Sequence, residues 1–325
     1  MEVPLKSAAG GAMLLVISFL LALAATNQGI TESKPQDKVA AAQQLQAQGN
    51  FEQARDLFEQ VLQVDPQNTE ALEGMSSTTE QLASNDRVAG QMDSALKNLL
   101  RAQKVEPDNL RILFDLGIQE DEMHLYADAD KVLDHLSSLE PDDPNLLYAR
   151  ARIKLDLGQL EPAQQNMQAY LKVRPLDASA HFGLGRIYLQ GLQFDKAREE
   201  FQQSISIQPL QSEAYYRLGE TDLKLNKFQE SIAQFQKTLE RDPQHGGALT
   251  GIGTACFQLK QYDKAEEWLR KATQAAPDYQ PGHYYLGLTL ARLSKTEESR
   301  HELELAAELA DKDNKQSATR LQLLH

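Results

Sequence analysis

Seven histidines and one cysteine, Cys256, are the side chains of this 325-residue chain whose types are best suited to hold a metal or act as a nucleophile. Their spacing supplies neither. His124, His135, His181, His245, His283, His301 and His325 form no His-Glu-x-x-His motif and no Cys/His cluster at zinc spacing. His181 and His283 stand three residues before Leu184 and Leu286, on what reads as one packing column. No Gly-x-Ser-x-Gly elbow, phosphate loop or dinucleotide fingerprint is present. The carboxylate pairs Asp142-Asp143, Glu199-Glu200 and Glu266-Glu267 fall on exposed helix faces or turns, where they read as solvated surface rather than an acid/base couple. Cys256 has no disulfide partner in the chain, and an apolar position makes it a buried, inert thiol. The expectation is a protein without catalysis, cofactor or metal.

The chemistry that the spacing does support is recognition. Phe114, Tyr148, Phe182, Tyr216, Thr250 and Tyr284 succeed one another at steps of 34 residues, and five of the six are aromatic. Arg152 and Arg186 stand one helical turn after Tyr148 and Phe182, while Ile118, Glu220, Thr254 and Leu288 hold that place elsewhere. Rings one repeat apart, flanked by guanidinium groups, make a groove suited to an extended or helical peptide. The same rings can instead pack against the next repeat's first helix.

The helices that carry this column share its period. Pro107, Pro141, Pro175, Pro209, Pro243 and Pro277 are each 34 residues apart, and a proline ends a helix because it lacks an amide and restricts the residue before it. Between prolines lie two amphipathic stretches, such as Leu184, Ile187 and Tyr188, then Ala197, Phe201 and Ile205. A small residue recurs in the first (Gly117, Ala151, Gly185, Gly219, Gly253, Gly287), reaching upstream to Ala42 and Ser76. The second carries a small column running from Ala54 to Ser299 and, four residues on, a large one (Phe58, Leu99, Leu133, Met167, Phe201, Phe235, Leu269, Leu303). Small residues on one helix admit large ones from the other.

This pattern of Leu184-Gly185, Tyr188, Ala197, Phe201 and Pro209 resembles the tetratricopeptide repeat. The resemblance implies an all-α, right-handed superhelical solenoid of about eight helix-turn-helix repeats over residues 35–311, with the aromatic column on its concave side. Three departures stand out. Seven extra residues intrude between Ser76 and Ala95, lengthening the second repeat's first helix or inter-helix turn by about two turns. In the fourth repeat Arg150 replaces the usual leucine and Tyr170 a small residue. The last repeat has Asp311 in place of its proline, as suits a solvent-capped end. The Lys and Asn of the family's clamp for a terminal carboxylate are missing beside Phe182 and Tyr216, so a Glu-Glu-Val-Asp-like tail is not the expected ligand.

Residues 1–31 lie outside the pattern. Lys6 is followed by no charge until Glu32, and Ala12 to Ala25 is an apolar core. This segment reads as a signal peptide cleaved near Ala22-Leu23-Ala24, as an uncleaved anchor, or as an apolar tail. The first two readings place the remainder outside the cytosol, periplasmic or extracellular, touching a membrane only through this segment. Residues 32–34 link it to the repeats, and 312–325, with Ala318, Leu321 and Leu324 at helical spacing, form a capping helix or a docking tail. A net charge of −14 argues against nucleic acid, whose binding rests on phosphate neutralisation. The expected role is an exported scaffold for a protein or peptide partner, and the alternative is an accessory subunit of an envelope assembly or secretion complex.

Overall fold

The computed structural model describes residues 34–323, and every regular element among them is an α-helix. The chain is an all-α repeat solenoid built of helix pairs, divided into two compact units at Asp142/Asp143. The apolar segment before Glu32 lies outside the described residues, and no described helix is long and apolar enough to cross a membrane.

The N-terminal unit holds three pairs: α1 (Pro35–Ala47) with α2 (Phe51–Val64), α3 (Thr69–Val88) with α4 (Met92–Val105), and α5 (Leu110–Glu122) with α6 (Tyr126–Leu139). The seven extra residues lie within a helix, since α3 has 20 residues where α1 and α5 have 13. Its added turns carry Asp86 and Arg87, which reach α4 and α5: Asn98 donates to Asp86 at 2.9 Å and Arg87 to Gln119 at 2.7 Å. Asn98 in turn accepts from the buried guanidinium of Arg55 on α2 at 2.6 Å.

The C-terminal unit holds five pairs: α7 (Pro144–Asp156) with α8 (Leu160–Val173), α9 (Ala178–Gln190) with α10 (Phe194–Ile207), α11 (Ser212–Lys224) with α12 (Phe228–Leu239), α13 (Gly246–Gln258) with α14 (Tyr262–Ala275), and α15 (Gln280–Arg292) with α16 (Thr296–Leu323). Large side chains of the second helices sit against small residues of their own first helices, and Met167 and Phe235 are sandwiched by small residues of the next first helix as well. A Cβ on Gly219 would stand 2.8 Å from the Phe235 ring and one on Gly251 2.3 Å from it, so only hydrogen fits on either side. Where the small column carries serine, the hydroxyl turns back onto the glycine carbonyl facing it: Ser231 donates to Gly219 at 2.9 Å and Ser299 to Gly287 at 2.8 Å. Residues 312–323 continue α16 without a break, so the stretch beyond the eighth pair lengthens that pair's second helix.

The two helices of each pair meet at one left-handed residue, in turn Gly49, Gly90, His124, Gly158, Leu192, Asn226, Lys260 and Ser294. Each turn closes with the following amide reaching back five residues, as Gln193 to the Tyr188 carbonyl at 2.8 Å, which satisfies a carbonyl the helix end leaves open. First helices are started differently. Asn68, Asn109, Asp143 and Asp177 accept hydrogen bonds from amides of the first turn, and His245 Nδ1 does so for α13. Before the prolines the backbone leaves the helical region, with φ −125° and ψ 70° at Arg174 and φ −130° and ψ 86° at Gln208.

Carboxylates expected to be solvated surface prove partly structural. Glu266 is shielded and pairs with Lys295 at 2.7 Å and Arg270 at 2.8 Å, joining α14 to the turn before α16. Glu200 accepts from His181 Nδ1 at 2.6 Å, whose Nε2 lies 3.0 Å from the Pro175 carbonyl. Three repeats later His283 repeats the arrangement with Glu302 and Pro277. Both histidines thus tie a first helix to its own second helix and to the preceding proline turn. Asp143 is the cap of α7. Cys256 is buried, and burial pushes its thiol above the ordinary range, away from the reactive thiolate.

Candidate functional site

A cavity of about 530 Å3 opens in the C-terminal unit between the first helices α7, α9 and α11. Each first helix contributes from the same face, because residues four apart on a helix lie one above the other. Tyr148 and Arg152 come from α7, Phe182 and Arg186 from α9, and Ser212 and Glu213 from α11. Four of the seven residues expected to form a groove are therefore brought together here.

The two rings are half-buried, and each is fixed from behind by an aromatic of its own pair's second helix. Phe182 tilts against Phe201 with ring centroids 5.7 Å apart, and Tyr148 against Tyr170 at 5.2 Å. Tyr170, the large residue where a small one is usual, donates its hydroxyl to Asp177 at 2.6 Å and so braces the cap of α9. Burial pushes the Tyr148 phenol upward, which keeps it neutral at physiological pH. Arg152 and Arg186 are exposed, and Arg186 makes no ion pair among the described residues. Glu213 on the opposite wall is engaged by Arg217 at 2.8 Å. The cavity thus presents two rigid apolar faces beside an available guanidinium, a combination that holds an apolar side chain and a neighbouring carboxylate.

The other three residues of the column are placed differently. Tyr216 is buried, packed 4.6 Å from the His245 ring at the start of α13, and its hydroxyl donates to Glu220 at 2.9 Å. It lines a second cavity, of about 270 Å3, rather than the first. Tyr284 is exposed and stacks edge-on to Tyr285 at 5.4 Å, outside both cavities. Phe114 is half-buried in the N-terminal unit. Leu210, on the turn before α11, is not marked by the repeat pattern, yet it lines the larger cavity and is largely exposed. Its place directly after Pro209 is the one signal in the sequence, an apolar residue in a turn where polar ones are usual. Among the described residues no cluster of His, Cys, Asp or Glu is arranged to hold a metal.

Comparisons with known proteins agree with this architecture. Two family models, each described as tetratricopeptide repeat, match residues 148–212 and 216–280 in one case and 35–78 in the other, together more than half of the chain. A tetratricopeptide repeat protein from Parabacteroides merdae is similar in structure at 17% identity and a TM-score of 0.50, over 79% of this chain and 98% of that one. The Cut9–Hcn1 hetero-tetramer of the APC/C is similar at 15% identity and a TM-score of 0.55, over 80% of this chain and 50% of that one. At such identities the likeness speaks for the fold alone. No curated protein sequence matches the chain. The helix pairs, their glycine-and-ring interlock and the matched repeats make this chain a member of the tetratricopeptide repeat family.

Proposed function

We propose that the protein is an exported, non-catalytic scaffold that binds a segment of a partner protein across α7, α9 and α11. The observation carrying this reading is the larger cavity, with Tyr148 and Phe182 held rigid from behind and Arg186 at its edge without an ion pair among the described residues. Rings already immobilised by packing lose little entropy on binding, which is why such residues make strong anchors. The available arginine favours a partner segment with a carboxylate next to an apolar side chain. Repeat proteins of this family are generally scaffolds rather than enzymes, and the side chains around the cavity form no nucleophile–base pair.

The test is capture of a partner from envelope extracts, then affinity measurements on two variants. Phe182→Ala removes a half-buried ring and is expected to weaken binding at least tenfold, about 1.4 kcal/mol or more. Arg186→Ala, at an exposed position, is expected to weaken binding while leaving the melting temperature unchanged. Parental affinity in both folded variants would move the binding surface elsewhere.

Export is supported by Lys6 and the uncharged run from there to Ile30. A reporter fused after His325 should be active only on the non-cytosolic side, and activity of a cytosol-restricted reporter would refute export.

A further inference from the structure

We propose that Tyr170 is the positioning residue of the larger cavity, setting the Tyr148 wall on α7 and the start of the α9 wall with one side chain. In the fifth and sixth pairs the ring behind the aromatic column comes from one place. Phe201 lies behind Phe182 and Phe235 behind Tyr216, at centroid distances of 5.7 and 5.8 Å. One period before Phe201 stands Met167. It is buried and lines the cavity, with its methyl 2.8 Å from where a Cβ on Gly183 would stand. The usual position therefore offers Tyr148 no ring. Tyr170 provides one from three residues further along α8, 5.2 Å from Tyr148. Its equivalents in the next three pairs are Ser204, Thr238 and Ala272, all small and buried. The repeat itself does not call for a ring at this place; the fourth pair's methionine does.

The hydroxyl adds what a phenylalanine could not. Tyr170 donates to Asp177 Oδ2 at 2.6 Å, while Asp177 Oδ1 accepts from the amides of Ser179 and Ala180 at 2.9 and 3.1 Å. Ser179 lines the cavity. The ring thus rests on one wall while the hydroxyl holds the beginning of the other. One period on, Ser204 donates to Gln211 at 3.0 Å, but the Gln211 side chain makes no cap bond to α11, so that connection stops at the turn. The Arg174 guanidinium, 5.7 Å from the Tyr170 ring centroid, confines the ring further. A Tyr148 ring immobilised in advance loses little freedom when a ligand packs on it, whereas a loosened one must be ordered at the expense of affinity.

The inference rests on the scaffold reading, and its test separates the two. The full chain is labelled with 3-fluorotyrosine, and Tyr148 is followed by 19F NMR as the signal lost in Tyr148→Phe. Tyr170→Leu fills the space without ring or hydroxyl and should move that signal toward the position of tyrosine free in water. Tyr170→Phe keeps the ring and should leave it near the parent position. Met167→Phe combined with Tyr170→Ala returns the ring to its usual place and should restore the signal even where Tyr170→Leu does not fold. Phe58 already packs with Ala42 and against Gly74, the equivalents of Ala151 and Gly183, so a ring fits there. Toward a captured partner, Tyr170→Leu should weaken binding about tenfold, and Tyr170→Phe less. Because Tyr170 acts through Tyr148, the loss in Tyr170→Leu combined with Tyr148→Ala should fall short of the product of the single losses by more than about twofold. An unmoved Tyr148 signal in Tyr170→Leu, no restoration in the double variant, parental affinity in Tyr170→Leu, or losses that simply multiply would each overturn the proposal. A displaced and restored signal with no partner captured upholds the positioning of Tyr148 and counts against the scaffold reading alone.

Discussion

The two units solve one packing problem with different chemistry. In the C-terminal unit the space between successive first helices is filled by Met167, Phe201, Phe235 and Leu269, each buried against glycine or alanine. Most buried serine and threonine hydroxyls there are closed onto backbone carbonyls, as Ser204 is onto that of Ala178 at 2.8 Å. The N-terminal unit adds a run of charge and amide bonds that joins neighbouring pairs, Arg55 to Asn98, Asn98 to Asp86, and Arg87 to Gln119, where the C-terminal unit buries charge in separate bonds such as Arg198 to Asp222 at 2.7 Å. Apolar interlock needs only a fixed spacing and is repeated at will, whereas a polar network needs particular partners and must be satisfied as a whole. The family models follow this division, matching 148–280 almost throughout but only 35–78 before it.

The largest effect should come from the interlock. Phe235 has no exposed surface, and the positions nearest it, Gly219 and Gly251, have no side chains to relax into a void. Phe235→Ala is expected to cost about 3 to 5 kcal/mol, the range for deleting a buried ring that the surroundings cannot replace. Denaturant midpoints of parent and variant at constant m-value would measure it. A loss below about 1 kcal/mol would mean that the unit does not depend on these rings.

The same contrast separates the features that are legible in the sequence from those that are not. The 34-residue period, the helix pairing and the small-against-large columns arise from residue types that recur at one spacing, and Gly117, Gly185, Gly219, Gly253 and Gly287 do each face a large residue of their own pair's second helix. The other wall of the sandwich, Gly74, Gly183 and Gly251, is written in the sequence only at some repeats, because Ala149 and the larger Asp115, Arg217 and Tyr285 hold that place in the others. The aromatic column is readable as a column but not as a surface. Whether Tyr216 turns inward while Tyr284 turns out depends on His245 and Gly247 of the next repeat, partners no spacing rule identifies. The charged bonds of the N-terminal unit are invisible for the same reason.

A smaller effect, opposite in sign, tests the polar unit. Glu120 on α5 is 5% exposed, and burial, aided by the nearby Asp128 and opposed by Lys131, pushes its carboxyl up to about 7. Its Oε2 has no hydrogen-bond partner among the described residues. A raised value means that the folded state holds the proton more tightly than the unfolded chain. Below the unfolded value of 4.5 both states are protonated and nothing is lost; between 4.5 and about 7 stability falls as pH rises; above that the whole penalty is present. Glu120→Gln should therefore stabilise the protein above pH 7 by about 1 to 3 kcal/mol and flatten that part of its pH profile. Parallel profiles for parent and variant from pH 4.5 to 8 would show that the burial carries no such cost.

The smallest effect concerns the turns, where the units differ again. Two of the three left-handed residues in the N-terminal unit are glycines, against one of five in the C-terminal unit. Leu192, at φ +57°, is 73% exposed, so its side chain contributes little packing while its Cβ bears the left-handed conformation. That conformation costs a residue other than glycine about 1 to 2 kcal/mol, and glycine loses about 0.4 to 1 kcal/mol more chain entropy on folding. The first term is the larger, so Leu192→Gly should stabilise by up to about 1 kcal/mol. Gly158→Ala makes the reverse exchange at φ +73°, where a Cβ would meet nothing within 4 Å. Any loss there comes from the backbone alone, and thermal unfolding of the two variants should move the midpoint in opposite directions. A less stable Leu192→Gly beside a neutral Gly158→Ala would place the stability of the C-terminal turns in side-chain contacts instead.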